Sequence, residues 1–516
     1  MQPKASILAA LCCGLTPALA VDWPQYRGPN GDGTSPEVIR TNWAEQAPRE
    51  VWRKRIGQGW SSMAVSGGRV FTQVRRSANG ADREFCVALD ANTGNELWGT
   101  DVDAANYTNL SGYDDRIDGP RSTPTVEGDR VYVFTSQLKL YCLRFDNGNI
   151  VWSRDFPAEL GSNLIAWENA ASPLIVGELV FVNSNAGGQR LMAVRKSDGV
   201  TAWGGQNDGM THASPVFARI GDVPQVLFLT RSGLVSVIPE TGAVLWRVAF
   251  SPSATSTAAS PVVAGDYVHA SAAYGSGTWI ARVEKNGSTF TASDVRRQQG
   301  NAYQLHWATP VHHEGFLYCV PSPSSGQARL ACLDVAGGAN RWTQTAVGSG
   351  NIGYGSVIKA ANALVVLTEA GELVLVQADP STYTELAKMQ VLNFFSWNHV
   401  ALSNGRIYAR NSAVSPEIVA LEVGAAVAPL PAIGLAAERT ADGGAVKLIV
   451  RAVDGTNLDS SHVARLEVQS TPAIAPPGQW SALNQTFSVT AGMLITEIQI
   501  GADSRFLRIG EKIGTN

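Results

Sequence analysis

The 516-residue chain is poor in charge and shows no excess of either sign. Charged residues make up only 16% of it, and 40 lysines and arginines nearly balance 44 aspartates and glutamates, for a net charge of −4. The basic residues are scattered, so the sequence indicates neither a nucleic-acid surface nor a polybasic membrane patch. No nucleic-acid partner is therefore expected.

Long apolar stretches are also missing. The one notable run, ILAALCCGLTPALA at 7–20, is too short to span a bilayer and ends in Ala-Leu-Ala. This pattern predicts a signal peptide at 1–20, cleaved after Ala20 to leave Val21 as the mature start. We expect an exported protein, in the periplasm, at the cell surface or outside the cell, with no transmembrane segment in its mature chain.

Cysteine is scarce, with six in the chain. Cys12 and Cys13 lie in the predicted signal peptide, where a lipid anchor is the alternative, although neither follows the usual small residue. The mature chain keeps four, which are Cys86, Cys142, Cys319 and Cys332. We interpret all but Cys319 as small buried residues at one repeat position of a third strand. An exported compartment permits disulfides, and only Cys319 with Cys332 is placed to form one.

Sequence signatures of catalysis are absent too. We find no heme attachment sequence Cys-x-x-Cys-His, no convincing Gly-x-Ser-x-Gly elbow or phosphate loop, and no EF-hand spacing. In the acidic segment 111–121, Asp114, Asp115 and Asp118 could hold calcium, but a solvated loop is the simpler interpretation. No helical periodicity persists outside 7–20, which argues against a helical repeat.

What the chain does contain is a tryptophan repeat with a period of roughly 48 residues. Its members are Trp52, Trp98, Trp152, Trp203, Trp246 and Trp342. Each closes a phrase such as LDANTGNELW (89–98), in which Thr-Gly, Asn-Gly or Asp-Gly supplies the positive φ of a hairpin turn. The tryptophan begins the next strand, where its ring can pack between neighbouring sheets.

An upstream phrase such as ASPLIVGELVFVNSN (171–185) adds two short strands to each unit. Four antiparallel strands per unit predict an all-β, eight-bladed β-propeller over 51–424. The segment 397–424 lacks a fourth strand, whereas 51–58 is a strand with nothing before it. We therefore predict that residues 51–56 form the outer strand of the last blade, which removes an exposed sheet edge.

The remaining segments flank the propeller. Residues 21–50 form an N-terminal leader segment, and the small, proline-containing segment 425–432 is a linker. Beyond it, alternating polar and apolar residues predict a small β-sandwich-like domain at 433–516. Its strands are expected at 446–453, 464–471, 485–491 and 504–511.

The repeat resembles that of a known superfamily. Its motif Ala-x-Asp-x-x-Thr-Gly-x-x-x-Trp is matched in full by Ala88, Asp90, Thr93, Gly94 and Trp98. This is the pyrroloquinoline quinone (PQQ)-like propeller superfamily, and 22–37 resembles the leader of its exported bacterial members. The resemblance implies one of two classes: quinoprotein dehydrogenases, which use PQQ and calcium, or BamB-type proteins, which hold no cofactor and act as scaffolds in outer-membrane protein assembly.

Site residues favour the second class. The adjacent cysteines that the alcohol dehydrogenases place over the quinone occur only as Cys12-Cys13, and the calcium ligands of that class have no match. We expect no catalytic residues and no cofactor, but a scaffold for a protein or polysaccharide partner. The alternatives are a PQQ-dependent oxidoreductase and a carbohydrate-binding propeller that uses Trp167, Trp307 and Trp397.

Residues just before the innermost strands should point into an axial funnel. These are Arg121, Trp167, Glu168, Asn169, His212, His306, Trp307, Tyr354, Trp397, Asn398 and His399. Aromatic walls with a few polar groups are typical of a small-molecule pocket, although the same residues could simply fill the channel. Zinc binding by His212, His306 and His399 lacks the usual short ligand spacing, so no metal is expected.

Overall fold

In a computed structural model the chain divides into two compact units, residues 20–425 and a unit that contains residues 426–516. The structure describes residues 21–424 apart from 108–116, 256, 323–327 and 394. In the second unit it describes 433–440, 445–453, 458, 466–471, 481–482, 487–490, 492–499 and 506–511. The predicted signal peptide, the linker, Asp114 and Asp115 lie outside the described residues.

The first unit consists of antiparallel sheets. Its described part contains eight four-stranded sheets, which we number in chain order, together with the hairpin Ala346–Val347 with Gly350–Asn351 and the short helix Phe156–Leu160. Sheets 1 to 4 comprise Ala64–Ser66, Arg69–Ala78, Ala81–Asp90, Glu96–Ala104; Thr125–Glu127, Arg130–Phe134, Lys139–Arg144, Ile150–Asp155; Leu174–Val176, Leu179–Asn183, Leu191–Arg195, Thr201–Gly205; and Val216–Ile220, Val223–Thr230, Gly233–Val237, Val244–Ala249.

Sheets 5 to 8 follow the same plan. They comprise Val262–Ala264, Tyr267–Ala272, Gly277–Asn286, Thr289–Gln298; Val311–His313, Phe316–Cys319, Leu330–Asp334, Asn340–Gln344; Ser356–Lys359, Leu364–Leu367, Glu372–Val376, Glu385–Gln390; and Ala401–Ser403, Arg406–Arg410, Glu417–Glu422 with Arg49–Arg55. The predicted all-β propeller of four-stranded antiparallel sheets is confirmed.

Sheet 8 joins the two ends of this unit. Its fourth strand is Arg49–Arg55, which pairs antiparallel with Glu417–Glu422 so that Arg49 lies opposite Glu422. The prediction that 51–56 close the last sheet is therefore confirmed, with the strand beginning two residues earlier. The pairing covers an edge that would otherwise offer its backbone groups to another chain.

A chain of hydroxyl groups links the residues that precede the first strands. In each link a backbone N–H donates to the Ser or Thr side chain of the next sheet, and the residue after that hydroxyl is often proline. The links at 2.9–3.2 Å are Thr123 to Ser172, Ser172 to Ser214, Ser214 to Ser260, and Ser260 to Thr309. The repeated Ser-Pro and Thr-Pro of the sequence thus hold neighbouring sheets together around the axis.

All but one of the repeat tryptophans bridge two sheets by a hydrogen bond. Within its own sheet, each tryptophan lies opposite a small residue in the pairs Ala88–Trp98, Cys142–Trp152, Ala193–Trp203, Ser236–Trp246 and Cys332–Trp342. Its indole N–H donates to a turn carbonyl of the next sheet in Trp52–Ala91, Trp98–Phe145, Trp152–Lys196, Trp203–Pro239 and Trp342–Asp379. Trp246 instead binds Gln225 of its own sheet, because sheet 5 carries a long hairpin in place of that turn.

The turn glycine of the motif has a second role beyond its backbone angle. Gly94, Gly148, Gly199 and Gly242 have φ between 69° and 73°, and a Cβ on any of them would meet the preceding tryptophan ring at 2.5–2.7 Å. The residue must therefore be glycine both for its left-handed conformation and for the contact with the ring. Asp90 stabilises its turn by accepting hydrogen bonds from the backbone of Asn92 and Thr93.

Two expectations about cysteine are corrected by the register. Cys142 and Cys332 do face their tryptophans, but Cys86 lies opposite Thr100, two residues before the equivalent Ala88. Cys319 and Cys332 are free and buried. They occupy adjacent strands with Cys319 opposite Ala331, so their side chains point to opposite faces of sheet 6 and cannot form a disulfide.

The second unit is also all-β in its described part. One sheet has the strand order Ile433–Arg439, Ala445–Ala452, Met493–Gln499, Ser488–Thr490, and the other Ser481–Ala482, Leu466–Thr471, Phe506–Glu511. Leu448, Val450 and Leu494 are buried in a small core of their own. The four predicted strands are present, and 433–439, 481–482 and 493–499 are additional strands that were not predicted.

Candidate functional site: the aromatic mouth

The segments that lead into the first strands form one end of the propeller axis, which we call the mouth. We call the Ser or Thr in each link the hydroxyl position. Two residues before this position the chain has Trp60, Arg121, His212 and Trp307, and Trp397 stands two residues before the equivalent His399. Since neighbouring hydroxyl positions are hydrogen-bonded around the axis, these side chains surround it. Of the predicted funnel residues, Arg121, His212, Trp307 and Trp397 occupy this register, and the mouth divides into an aromatic part and a charged part.

The aromatic part is a continuous set of ring contacts, the aromatic cluster, formed by Trp60, Tyr274, His306, Trp307, Tyr354, Phe395 and Trp397. Trp60 and Trp397 stack with centroids 4.6 Å apart and planes inclined by 19°. Trp307 contacts Trp397 at 5.0 Å and Tyr354 at 4.7 Å. His306 packs edge-on against Tyr354 and against Tyr274, which is 44% exposed. Such contacts fix the rings against one another while their outer edges reach the surface.

Two carboxylates hold the indole edges of the cluster. Glu369 accepts a hydrogen bond of 2.7 Å from Trp397 Nε1, and Asp118 accepts one of 3.3 Å from Trp60 Nε1. The indole N–H of Trp307 is buried and has no hydrogen-bond partner among the described residues. Hydrogen bonds therefore fix the orientation of Trp60 and Trp397, and the neighbouring ring of Trp307 carries a buried N–H.

The charged part centres on Arg121. Its guanidinium lies 2.8 Å from Asp118 and 3.7 Å from Glu168, and it stands over the ring of Tyr107. Asp118 also accepts from the backbone N–H of Gly119. Asp118 is the one candidate calcium ligand among the described residues. Its carboxylate is thus engaged by an arginine, an indole and a backbone amide.

A buried carboxylate lies beside this charged part. Glu84 accepts hydrogen bonds from the hydroxyl of Tyr107 at 2.6 Å and from the backbone N–H of Ser136 at 3.2 Å. Burial raises its pKa to about 7, an effect to which nearby Asp103 adds. Its charge therefore changes near neutral pH.

The three mouth histidines are neutral at pH 7. Burial lowers the pKa of His212 to about 3, with Arg121 adding to the effect, that of His399 to about 3 and that of His306 to about 4. Neutral imidazole can bind zinc, but these three belong to sheets 4, 6 and 8. Over the described residues no group of three or more His, Cys, Asp or Glu side chains is arranged to hold a metal ion.

The other funnel residues have different surroundings. Asn169 is buried and bonds to the backbone of Thr135 and Ala171, which makes it a structural residue. Asn398 donates to Ser61 O across the ring closure. Trp167 has a positive φ of 59° and lies outside the aromatic cluster, so only two of the three tryptophans proposed to bind carbohydrate come together.

Sequence reasoning missed Trp60, Tyr274 and Phe395. A signal for Trp60 was available, because it precedes Ser62 by two residues just as Trp307 precedes Thr309. Tyr274 and Phe395 lie in loops whose contacts form only in the folded ring. The position of a residue within the repeat, rather than composition, thus identifies the residues of the mouth.

Part of the chain is similar to known proteins. The family described as "Outer membrane protein assembly factor BamB" matches residues 83–288. The BamB proteins of Yersinia pestis and Moranella endobia are 24% and 23% identical over 396 and 320 residues, covering 71% and 58% of this chain and 88% and 73% of their own. A quinohemoprotein alcohol dehydrogenase from Pseudomonas putida HK5 has a similar fold, with a TM-score of 0.55 and 13% identity over 82% of this chain and 84% of its own.

The described residues do not fit a PQQ and calcium site of the expected kind. The described cysteines are buried in strands of sheets 1, 2 and 6, and no two are adjacent in sequence. The mouth carboxylates Asp118 and Glu369 are engaged by Arg121, Trp60 and Trp397. No catalytic step through a quinone is therefore derived. Within the described part of the chain, no helix is both long and apolar enough to cross a membrane.

Proposed function

Because this chain carries PQQ-like repeats of the BamB type, we propose that it is an exported, non-catalytic scaffold that binds a protein partner in outer-membrane protein assembly. The partner binds at the mouth, where the aromatic cluster and Arg121 are presented by a closed ring. The two curated relatives carry the name of an assembly factor, and the match extends over most of their length.

The composition of the mouth is the observation that carries this proposal. Tryptophan, tyrosine and arginine are the residues that contribute most energy at protein interfaces, and the mouth combines three tryptophans, two tyrosines and Arg121. Since the rings already contact one another, little side-chain entropy is lost when a partner covers them. A rigid aromatic patch is suited to binding rather than to proton transfer.

The direct test is genetic. Deletion of the gene in the organism that encodes it should lower the amount of β-barrel proteins in the outer membrane, and the wild-type gene should restore it. The variant Trp60→Ala/Trp397→Ala should fail to restore it, because it removes the stacked pair. Leu386→Ala is the matched control, since this residue is exposed on the outer strand of sheet 7, and it should restore the wild-type level.

Two outcomes contradict the proposal. Unchanged outer-membrane β-barrel protein after deletion would remove the assembly role. Quinone absorbance and dye-linked alcohol oxidation after adding PQQ and calcium to the purified protein would favour the oxidoreductase instead. Thermal unfolding of each variant distinguishes a lost contact from a lost fold.

Export is tested separately. Amino-terminal sequencing of the protein isolated from the cell envelope should give Val21 as the first residue, because cleavage is predicted after Ala20. A cytosolic protein that retains residues 1–20 would contradict the export prediction. A protein retained on membranes through Cys12 or Cys13 would instead identify the lipid-anchored alternative.

A further inference from the structure

The N-terminal segment 22–37 lies inside the channel at the end opposite the mouth. Its backbone, together with the side-chain carboxylate of Glu37, is tied to the first strands or first turns of sheets 1, 2, 7 and 8. These links are Trp23 with Val65, Pro24 with Val126, Thr34 and Ser35 with Lys359, and Glu37 with Asn404 and Gly405. The segment therefore covers one side of the channel and leaves sheets 3 to 5 on the other side.

A cavity of about 500 Å³ remains between the segment and these three sheets. One wall is apolar and comes from the first strands of sheets 3, 4 and 5, with Ile175, Phe217 and Val263 among its residues. Phe217 is 37% exposed, a large apolar side chain left partly uncovered within the cavity lining. The size lies in the range of small-molecule sites.

The opposite wall includes a residue with a buried, positively charged side chain. Arg27 lines the cavity and is only 2% exposed. Its guanidinium donates to the carbonyls of Thr309 at 2.8 Å, of Asp32 at 2.7 Å and of Pro310. Among the described residues Arg27 forms no salt bridge, although the Asp32 carboxylate is near enough to act on its charge, and its Nε has no hydrogen-bond partner. A buried charge bound only to neutral carbonyls favours an anion nearby.

We propose that this cavity binds a small monocarboxylate with an apolar body. The carboxylate is held by Arg27, and the apolar body lies against Phe217 and the first strands of sheets 3 to 5. Neither the aromatic cluster nor the proposed partner takes part, so this site and the scaffold role can be tested independently of each other.

The other polar groups of the cavity are a second arginine, one carboxylate and hydroxyls that are already engaged. Arg219 adds a second positive charge on the exposed side. The carboxylate of Asp32 is exposed and already accepts from the amide and hydroxyl of Thr34. Ser172 and Ser214 accept hydrogen bonds from the neighbouring sheets, so their hydroxyls are committed to the ring. Arg27 is thus the buried group in this cavity that an incoming anion can neutralise.

The test is calorimetric titration of the full-length mature protein with octanoate and with octanamide, a neutral ligand of nearly the same shape. Octanoate should bind with one site per chain and about tenfold or more tighter than octanamide, because only the carboxylate interacts with the guanidinium. Arg27→Gln should abolish that preference, and Arg27→Lys should retain part of it. Phe217→Ser should weaken both ligands several-fold without changing their ratio.

Val414→Ser is the control, because this exposed apolar residue lies in the loop between the second and third strands of sheet 8, away from the cavity. Absence of octanoate binding, or an unchanged preference in Arg27→Gln, would overturn the proposal. If Arg27→Gln does not fold, the Phe217→Ser titration still decides, since equal affinity for wild type and Phe217→Ser would place octanoate elsewhere.

Discussion

The backbone N–H of His399 donates a hydrogen bond of 3.0 Å to Oγ of Ser62, a residue 337 positions earlier in the chain. The bond has the same form as the links between other neighbouring sheets, but it joins sheet 8 to sheet 1. Asn398 adds a second bond across the same junction, to the carbonyl of Ser61. The hydroxyl links therefore extend across the junction that closes the ring.

Ser62→Ala should destabilise the protein by about 1–3 kcal/mol, because it leaves the buried His399 N–H without its acceptor. Urea unfolding followed by tryptophan fluorescence measures the change. Ser153→Ala is the control, since Ser153 is exposed on an outer strand and its replacement should alter stability by less than about 0.5 kcal/mol. Equal effects for the two variants would show that the closing bond does not contribute.

Arg410→Gln should be more damaging than Ser62→Ala. Arg410 is fully buried in sheet 8, and its guanidinium donates to the carbonyls of Ser61, Gln73 and Gly57 and to the hydroxyl of Thr72. A shorter amide leaves several of these buried groups unpaired, at a cost of roughly 3 kcal/mol or more. Arg406→Gln is the control, because Arg406 lies in the same strand and is partly exposed. Comparable melting temperatures for the two variants would contradict this role.

Gly199→Ala and Gly177→Ala separate the contact with tryptophan from backbone strain. Both glycines have a positive φ, 73° and 58°, so each alanine should cost about 1–2 kcal/mol in a left-handed conformation. A Cβ at Gly199 also meets Trp152 at 2.7 Å, whereas nothing lies within 4 Å at Gly177. We expect Gly199→Ala to lower the free energy of unfolding by at least about 1 kcal/mol more than Gly177→Ala does, because the added Cβ overpacks against the ring. Equal losses in denaturant titrations would show that the ring simply moves aside.

Glu84 should make stability depend on pH. Its pKa is about 7 in the folded protein against an ordinary 4.5, so the folded state binds a proton more tightly and the free energy of unfolding falls as pH rises between these values. The full change is about 3 kcal/mol. Glu84→Gln should remove this slope and gain stability at about pH 8, relative to wild type.

The measurement is urea unfolding of wild type and Glu84→Gln at several pH values from about 4 to 8. Glu240→Gln is the control, because Glu240 is exposed in a turn and its replacement should leave the slope unchanged. A constant difference between wild type and Glu84→Gln across this range would mean that Glu84 is not protonated within it.

The repeat was predictable because its determinants are local. The turn glycine, the small residue opposite the tryptophan and the Ser-Pro before the first strand recur in each phrase, so the sheets and the closing strand followed from spacing. The displaced register of Cys86 shows the limit of this reasoning. A small residue at nearly the right place was assigned to the repeat, and only the pairing with Thr100 distinguishes it from Ala88.

The mouth was predictable in position but not in its contacts. Arg121, Trp307 and Trp397 were found because they precede first strands. The stacking of Trp60 on Trp397 joins residues from the two ends of the propeller sequence, and no local pattern indicates it. The same is true of Arg27, which was assigned to a leader segment without a role although it reaches Thr309 and Pro310 inside the channel.

The pairing of Arg49–Arg55 with Glu417–Glu422 also has a consequence for biosynthesis. A ribosome releases the first of these strands long before the second exists, since Arg49 and its partner Glu422 are 373 positions apart. During that interval the early strand has an open edge that other polypeptides can occupy. Sheet 8 is therefore completed only after translation has passed residue 422, and a chain that lacks residues 49–55 or ends before residue 417 has an incomplete sheet 8.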